Sequence, residues 1–216
     1  MNSKSVFVLA SGSPRRKELL VLLGLPFEVK SSNINELALP GEAPVDYVTR
    51  MAAEKGKASA LAGDAWVISA DTIVEIDGKI IGKPVDLAQA KKTLVLLCGR
   101  EHQVYTAIRL SKGLRSVPTL AQSRVSMRHY TEEEIEAYFR ASSPLDKAGS
   151  YAIQDSCFHP ALGLQGCYAN VMGLPLCHLY KLLQAEALQP QPGIAQRCQD
   201  FLGISCPVYS EILKEA

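Results

Sequence analysis

The sequence predicts an α/β fold, in which strands and helices alternate along most of the chain. An apolar run at 6–10 suits a buried strand, and it passes into Ser13-Pro14, residue types that cap and begin helices. A second apolar run at 66–76 is typical of another buried strand. Asp77-Gly78 follows it as a two-residue hairpin signal, so the sheet is expected to contain antiparallel pairs as well.

The first 63 residues are predicted to form a strand-helix-strand unit, a loop and a second helix. Gly24 is expected to end the first helix, because glycine readily takes the left-handed conformation at a helix C terminus. Residues 27–30 alternate like a strand with one buried face, and the polar stretch 31–44 is typical of a loop. The second helix is expected to begin at Pro44 and to end at Gly63.

The rest of the chain continues the alternation of helices and strands. Asp86 is expected to cap a helix that ends at Gly99, and Thr131 and Glu134 have the spacing of a capping box. The remaining predicted elements are strands at 102–110 and 124–128, a strand at 166–171, a helix from Pro175 to Leu188, and one or two short helices within 194–216.

The composition is that of a globular chain without an excess of either charge. The 216 residues are 47% hydrophobic and 21% charged, and 23 basic residues face 22 acidic ones. This balance argues against a general attraction to nucleic acid or to a membrane, so a polyanion would have to bind locally. No segment has the length of an uninterrupted transmembrane helix, and the N terminus is unlike a signal peptide. We therefore expect a cytoplasmic protein with no nucleic-acid and no membrane partner.

The six cysteines include no C-x-x-C pair, so the first expectation is free thiols in a reducing compartment. A zinc site is the alternative, although the spacing matches no common zinc module. Its candidate ligands are Cys157, His159, Cys167, Cys177 and His178.

The first motif that carries chemistry is the start of the helix at Pro14. Its first turn holds Arg15, Arg16 and Lys17, although the positive end of the helix dipole disfavours cations there by up to about 1 kcal/mol each. Free N–H groups at a helix start, a glycine that allows close approach and a pair of guanidinium groups together suit a phosphate chain. The alternative is a solvated basic turn whose methylene groups cover the surface.

The second motif is Asp71, which lies inside an apolar strand. A carboxylate in that position carries a large desolvation penalty unless it is paired, hydrogen-bonded or bound to a metal. Asp71 is therefore a candidate catalytic residue, and the alternative is that it accepts hydrogen bonds from a neighbouring loop. Lys83 follows the hairpin and is a candidate second cation near this aspartate.

Two further sets of charged residues admit a structural interpretation. Lys55 and Lys57 are expected on the solvent-exposed face of the second helix. The stretch 144–154 lacks periodicity and suits a loop that folds over a ligand, although Asp146-Lys147 is equally well explained as a surface ion pair.

Five blocks of this sequence, in order, resemble the signature blocks of the Maf family of nucleoside triphosphate pyrophosphatases. The resemblance extends over about residues 5–188. The blocks are Ser11–Arg16, Ser69–Val74, Gly82–Pro84, Asp146–Gln154 and Asn170–Pro175. The resemblance implies a family domain at 1–188 and leaves 189–216 as a C-terminal extension without an assigned role. Asp155–Pro160 stands where the family usually has a glycine-rich stretch, so we expect a different loop shape there.

The resemblance implies an elongated mixed sheet with flanking helices, like that of inosine triphosphatase, with two lobes around a central cleft. It also implies hydrolysis of a nucleoside triphosphate to the monophosphate and pyrophosphate, with Mg²⁺ or Mn²⁺ as cofactor and a homodimer as the expected assembly. Asp71 matches the catalytic acidic position, as general base or metal ligand. Arg15, Thr72 and Gln154 match the specificity positions of the branch that prefers dTTP and UTP, and modified pyrimidine nucleotides are further candidate substrates. Other active-site positions fall on Ser11, Arg16, Glu36, Lys55 and Lys83, with Glu36 also a candidate metal ligand.

The predicted mechanism combines both lines of reasoning. Arg15, Arg16 and the N–H groups near Ser13 would hold the pyrophosphate, with Lys83 and Lys55 assisting. Asp71, alone or with Glu36, would bind the metal or accept a proton from the attacking water. The amide of Gln154 suits the edge of uracil or thymine. The alternatives are a nucleotide-binding regulator without turnover, for example of cell division, and a phosphohydrolase that removes only the terminal phosphate.

Overall fold

A computed structural model of the chain describes residues 7–59 and 65–214, and these residues form one mixed sheet with helices on both faces. The strands are β1 (Phe7–Leu9), β2 (Phe27–Val29), β3 (Trp66–Ile76), β4 (Lys79–Ile81), β5 (Glu101–Lys112), β6 (Arg115–Met127) and β7 (Ala161–Gly166). The helices are α1 (Pro14–Val21), α2 (Pro44–Ser59), α3 (Leu87–Leu97), α4 (Glu132–Ala141), α5 (Tyr168–Val171), α6 (Leu176–Ala185), α7 (Ile194–Leu202) and α8 (Tyr209–Lys214). The predicted α/β class is confirmed.

The sheet has a gap beside its central strand. The strand order is β2-β1-β3-β5-β6-β7, and β4 pairs with β3 on the same side as β1. On that side β1 pairs with the start of β3 at 66–68, and β4 pairs with its end at 74–76. The strand β5 pairs with the opposite edge of β3 without a break from Val67 to Glu75. Residues 69–73 of β3 therefore lack a neighbouring strand on one side, and this gap is where the cleft opens.

Two apolar cores lie on one face of the sheet, one at each end of β3. The first joins β1, α1, α6 and the start of β3, and it includes Leu20 and Ile68. The second joins α3, α4 and the end of β3, and it includes Val74 and Leu97. A third, smaller core packs α2 against the opposite face. The two large cores correspond to the two expected lobes, which flank the gap in the sheet.

Most predicted elements are present, and one is wrong. The capping box at Thr131 and Glu134 and the side-chain cap of Asp86 on the Gln89 N–H are confirmed. The predicted strand at 166–171 is wrong, because β7 already ends at Gly166 and residues 168–171 form the helical turn α5. The predicted end of α2 at Gly63 lies outside the described residues.

The segment after residue 188 packs on the first core. Ile194 is buried in that core, and Cys198, Leu202 and Val208 lie against it. Arg197 donates to the carbonyl of Leu22, at the end of α1. Within the part of the chain that the structure describes, no helix is long and apolar enough to cross a membrane.

Candidate active site

The gap beside β3 opens into a cavity of about 360 Å³ between the two lobes. It is lined by the β1–α1 turn, the middle of β3, the hairpin end after β4, and the loop before β7. All nine predicted site residues line it: Ser11, Arg15, Arg16, Glu36, Lys55, Asp71, Thr72, Lys83 and Gln154.

The β1–α1 turn brings a helix start to the cavity. The N–H of Ala10 donates to the carbonyl of Ile68 at 2.8 Å, which extends the β1–β3 pairing up to the gap. Ser13 precedes α1 in an extended conformation and Pro14 occupies the first turn, as predicted. The expected cap by the Ser13 side chain is wrong, because its hydroxyl makes no capping hydrogen bond. The first turn therefore lacks its usual side-chain partner and is open to an anion.

Arg16 is a buried cation that ties three walls of the cavity together. Its Nε donates to the carbonyl of Gly173 at 2.8 Å, and its Nη1 and Nη2 donate to the hydroxyls of Ser11 and Thr72 at 3.1 and 2.9 Å. Burial lowers the pKa of Arg16, while the charge of Asp71 opposes that shift. Gly173 has φ +103°, a conformation that other residues rarely adopt, and a Cβ there would lie 3.2 Å from Thr72 Oγ1 and 3.3 Å from the Arg16 Nε, so a larger residue would be strained beside the guanidinium.

A polar seam separates the two large cores beneath the cavity. Thr72 and Thr106 face each other across β3 and β5 with their hydroxyl oxygens 2.9 Å apart. Thr106 also donates to the carbonyl of Asn170. The fully buried Asn170 amide donates to Val104 and Ser123, at 3.0 and 2.9 Å. This network holds the hydroxyl of Thr72 in position to accept the hydrogen bond from Arg16.

Asp71 points to the opposite face of β3 from Thr72, because side chains alternate along a strand. Its carboxylate is buried, with 6% of the residue exposed, and it accepts a hydrogen bond of 2.5 Å from Nζ of Lys55. The same Nζ lies 2.8 Å from the Glu36 carboxylate. Lys55 is itself buried, so its expected position on the solvent-exposed face of α2 is wrong, whereas Lys57 is exposed.

The two carboxylates respond differently to their shared ammonium. Burial raises the pKa of Asp71, and this outweighs the opposing charges of Lys55 and Arg16. Burial also acts to raise the pKa of Glu36, but the hydrogen bond and charge of Lys55, together with the charges of Lys83 and Arg16, outweigh it and lower that pKa. The raised pKa of Asp71 suits a proton acceptor, and the lowered pKa of Glu36 suits a carboxylate that stays ionised.

Arg15 lies at the mouth of the cavity and reaches across it. Its Nη1 donates to the carboxylate of Asp146 at 3.0 Å, and its Nη2 donates to the main-chain carbonyl of the same residue at 3.1 Å. Lys147, which follows Asp146 in the chain, also lines the cavity, and its Nζ lies 2.7 Å from the Asp146 carboxylate. The Asp146-Lys147 pair is therefore part of the cavity and not a plain surface ion pair.

Lys83 and Gln154 are exposed side chains on the rim. Lys83 follows the β3–β4 hairpin, which turns at Asp77 and Gly78 with φ of +53° and +74°. The N–H of Gly149 donates to the carbonyl of Gly82, which ties the hairpin end to the loop carrying Lys147.

Sequence reasoning missed several residues that support the site. Tyr47 donates from its hydroxyl to the Glu36 carbonyl at 2.8 Å and so holds the loop that carries Glu36. Asn170 and Gly173 belong to a block singled out in the sequence, but no role was predicted for them. An asparagine or lysine buried by distant segments gives no local signal of that burial.

The carboxylate pair fits a divalent cation of the magnesium type. Asp71 and Glu36 already converge on one positive charge, the ammonium of Lys55. Mg²⁺ characteristically takes one or two protein carboxylates, and substrate phosphates and water complete its shell. Among residues 7–59 and 65–214, no three His, Cys, Asp or Glu side chains are grouped to hold a metal ion, the cysteine–histidine cluster included.

Comparisons with known proteins agree with the sequence motifs. A family model described as "Maf-like protein" matches residues 6–186. A protein of Geobacter sp. (strain M21) named dTTP/UTP pyrophosphatase is 44% identical over 183 residues, covering 83% of this chain and 95% of the relative. A protein of the same name from Bacillus cytotoxicus is 44% identical over 179 residues, covering 82% and 94%. Among solved structures, a dITP/XTP pyrophosphatase from Mycobacterium abscessus covers 84% of this chain and 97% of its own, with a TM-score of 0.40 and 16% identity.

Proposed function

This chain belongs to the Maf family, and from that membership together with the geometry of its cleft we propose that it hydrolyses dTTP and UTP to the monophosphate and pyrophosphate. As a nucleoside triphosphate pyrophosphatase it is a hydrolase that cleaves a phosphoric anhydride. The named relatives provide the substrate class, and the residues in the cavity provide the chemistry.

One observation carries the proposal: a buried carboxylate and a set of cations share one cavity at the gap in the sheet. Asp71 lies on the central strand, while Arg15 and Arg16 begin a helix that points into the same cavity, with Lys83 on its rim. A triphosphate carries up to about four negative charges, and attack by water is repelled unless these charges are balanced. The arrangement supplies balancing charge and a base in one place.

A divalent cation, Mg²⁺ or Mn²⁺, is part of the proposal. Asp71 and Glu36 would hold it together with phosphate oxygens, and it would supply neutralisation of phosphate charge. Lys55 contacts both carboxylates, so it preserves their convergence, and its charge opposes the rise in the pKa of Asp71 that burial causes.

The remaining steps belong to the side chains of the cavity. Asp71 accepts a proton from the water that attacks the α-phosphorus, and the bond from that phosphorus to the oxygen bridging to the β-phosphate breaks. Arg15 and the open first turn of α1 bind the pyrophosphate leaving group, and Lys83 adds charge from the rim. Arg16 contributes its charge from the cavity floor, while three of its N–H groups hold Ser11, Thr72 and Gly173 in place.

The two other specificity positions act in different ways. Gln154 is exposed on the rim, where its amide offers both a donor and an acceptor to a pyrimidine edge. The hydroxyl of Thr72 is bonded to Arg16 and Thr106, so Thr72 acts on selectivity by shaping the floor of the cavity.

The test is product identification with purified protein. The protein is incubated with Mg²⁺ or Mn²⁺ and with a panel of canonical and modified nucleoside triphosphates, and the products are separated by chromatography. We expect UMP or dTMP and pyrophosphate in equal amounts, with dTTP and UTP the preferred substrates. Orthophosphate and a diphosphate would indicate removal of the terminal phosphate instead, and bound nucleotide without turnover would indicate a regulator.

Three further features remain predictions within this proposal. They are a cytoplasmic location, a homodimeric assembly and the division into a family domain at 1–188 with an extension at 189–216. Light scattering of the purified protein tests the dimer directly.

A further inference from the structure

We propose that Asp146 occupies the place of a substrate phosphate in the free protein, and that a bound triphosphate takes over its two cationic partners, Arg15 and Lys147. Lys147 is then a further phosphate-binding residue, which neither the motifs nor the relatives' names assign. This inference rests on the proposed function, because it concerns the same cavity.

The first support is how Asp146 engages Arg15. Both terminal nitrogens of the guanidinium are used, Nη1 by the carboxylate at 3.0 Å and Nη2 by the main-chain carbonyl at 3.1 Å. This is the pair of nitrogens with which an arginine clamps two oxygens of a phosphate. Arg15 can use both for a phosphate only if Asp146 gives them up.

The second support is the burial of Lys147. Only 8% of the residue is exposed, yet it lines the cavity. Its ammonium donates to the carbonyl of Ser143 and to the second carboxylate oxygen of Asp146, the latter at 2.7 Å. An ammonium has three N–H groups, and a buried cation is costly without an anionic partner. A phosphate in the cavity can serve as that partner in place of Asp146.

The third support is the contrast between a fixed lysine and a more exposed aspartate. The carbonyl of Lys147 accepts from Ser150, and Gly149 is bonded to the hairpin at Gly82. Tyr151 is held by His102, with its hydroxyl 2.7 Å from Nε2. The Asp146 side chain, by comparison, is 49% exposed and can turn towards solvent. Turning the Asp146 side chain outwards therefore frees Nη1 of Arg15 and the ammonium of Lys147 while Lys147 stays in place. Nη2 of Arg15 is freed only when the Arg15 side chain also swings away from the main-chain carbonyl of Asp146.

The sign of the effect of Asp146 distinguishes two roles. If Asp146 stands in for a phosphate, removing its charge strengthens the binding of phosphate anions, because a competitor for Arg15 and Lys147 is lost. If Asp146 instead stays in place and orients Arg15 for the substrate, removing its charge weakens that binding. The two roles predict opposite changes.

The experiment measures binding of inorganic pyrophosphate to the full chain by calorimetry in the presence of Mg²⁺. Asp146→Asn is nearly isosteric and is expected to tighten binding up to about fivefold, the range for a partly exposed ion pair. Lys147→Met is expected to weaken binding by about tenfold or more, because a charge-assisted hydrogen bond is lost. The matched control is Asp77→Asn, which removes an aspartate from an exposed pair with Arg100 outside the cavity and should change nothing.

Melting curves establish whether each variant is folded. If Lys147→Met does not fold, pyrophosphate binding by Asp146→Asn alone tests the inference. Unchanged or weaker pyrophosphate binding by folded Asp146→Asn overturns the inference, as does unchanged binding by folded Lys147→Met. Release of pyrophosphate from UTP and dTTP by the unaltered protein is measured on the same preparation. If the unaltered protein releases no pyrophosphate, the proposed function is refuted. If it does release pyrophosphate but Asp146→Asn does not tighten pyrophosphate binding, this inference alone is refuted.

Discussion

Replacing Arg16 by lysine is expected to destabilise the fold and to impair catalysis together. The substitution keeps the positive charge at the cavity floor but removes the planar fork that reaches three acceptors. These acceptors are the Gly173 carbonyl and the hydroxyls of Ser11 and Thr72, which belong to three separate segments. A lysine has one nitrogen and cannot reach all three from the same backbone position.

The expected loss follows from the hydrogen bonds that lysine cannot replace. A hydrogen bond to a charged group contributes about 1.5–3 kcal/mol, and two of the three are lost. The freed hydroxyls of Ser11 and Thr72 recover part of this by bonding to other groups, so we expect a loss of about 3 kcal/mol. For a chain of 216 residues this lowers Tm by about 6–12 °C.

Thermal unfolding and steady-state kinetics with UTP measure the two effects. The matched control is Arg197→Lys, because Arg197 also donates to three carbonyls, those of Leu22, Gln191 and Pro192, but lies outside the cavity. The control should lose stability and keep kcat/KM per folded molecule, whereas Arg16→Lys should lose both. A Tm within about 2 °C of the unaltered protein, or a fall in kcat/KM no larger than that of the control, refutes the role given to Arg16.

Three further predictions concern the acid pair and the loop before β7. Burial raises the pKa of Asp71, so in a pH–rate profile kcat/KM should rise as Asp71 loses its proton, at a pH above the usual aspartate range. The charge of Lys55 lowers the pKa of Asp71, so Lys55→Met should move this rise to higher pH. Glu36→Gln should raise the Mg²⁺ concentration needed for half-maximal activity, because one of two carboxylates is lost; an unchanged metal titration would contradict this. Gly149→Ala should lower the free energy of unfolding by about 1–3 kcal/mol in denaturant titrations, because φ is +73° and the new Cβ would lie 2.8 Å from a methyl of Val74; an unchanged midpoint would show that the loop adapts.

The residues that carry chemistry could be located from the sequence because their own neighbours make them unusual. Asp71 stands in an apolar strand, and Arg15 and Arg16 stand at the wrong end of a helix for their charge. Such local conflicts between stability and residue type mark functional positions. The structure places these residues around one cavity, as the motifs predicted.

The supporting residues could not be predicted because their partners are far away in the chain. Asn170 donates to Val104 and Ser123, and no local pattern indicates these contacts. Lys55 was expected in solvent because helical periodicity does not show what packs against a face, and here that face meets two carboxylates. The mistaken strand at 166–171 has a related cause, since a short apolar segment fits either a strand or a helical turn.

The most direct test of the catalytic role of Asp71 is single-turnover release of pyrophosphate from UTP by the Asp71→Asn variant, with UTP binding measured in parallel. Asparagine keeps the size of the side chain and removes both the charge and the proton acceptor. We expect UTP to bind with an affinity within about tenfold of the unaltered protein, while pyrophosphate release slows by about 10²–10⁴-fold, the usual contribution of a positioned general base. Pyrophosphate release at a near-normal rate would remove Asp71 from the reaction and contradict the mechanism built on the gap beside β3.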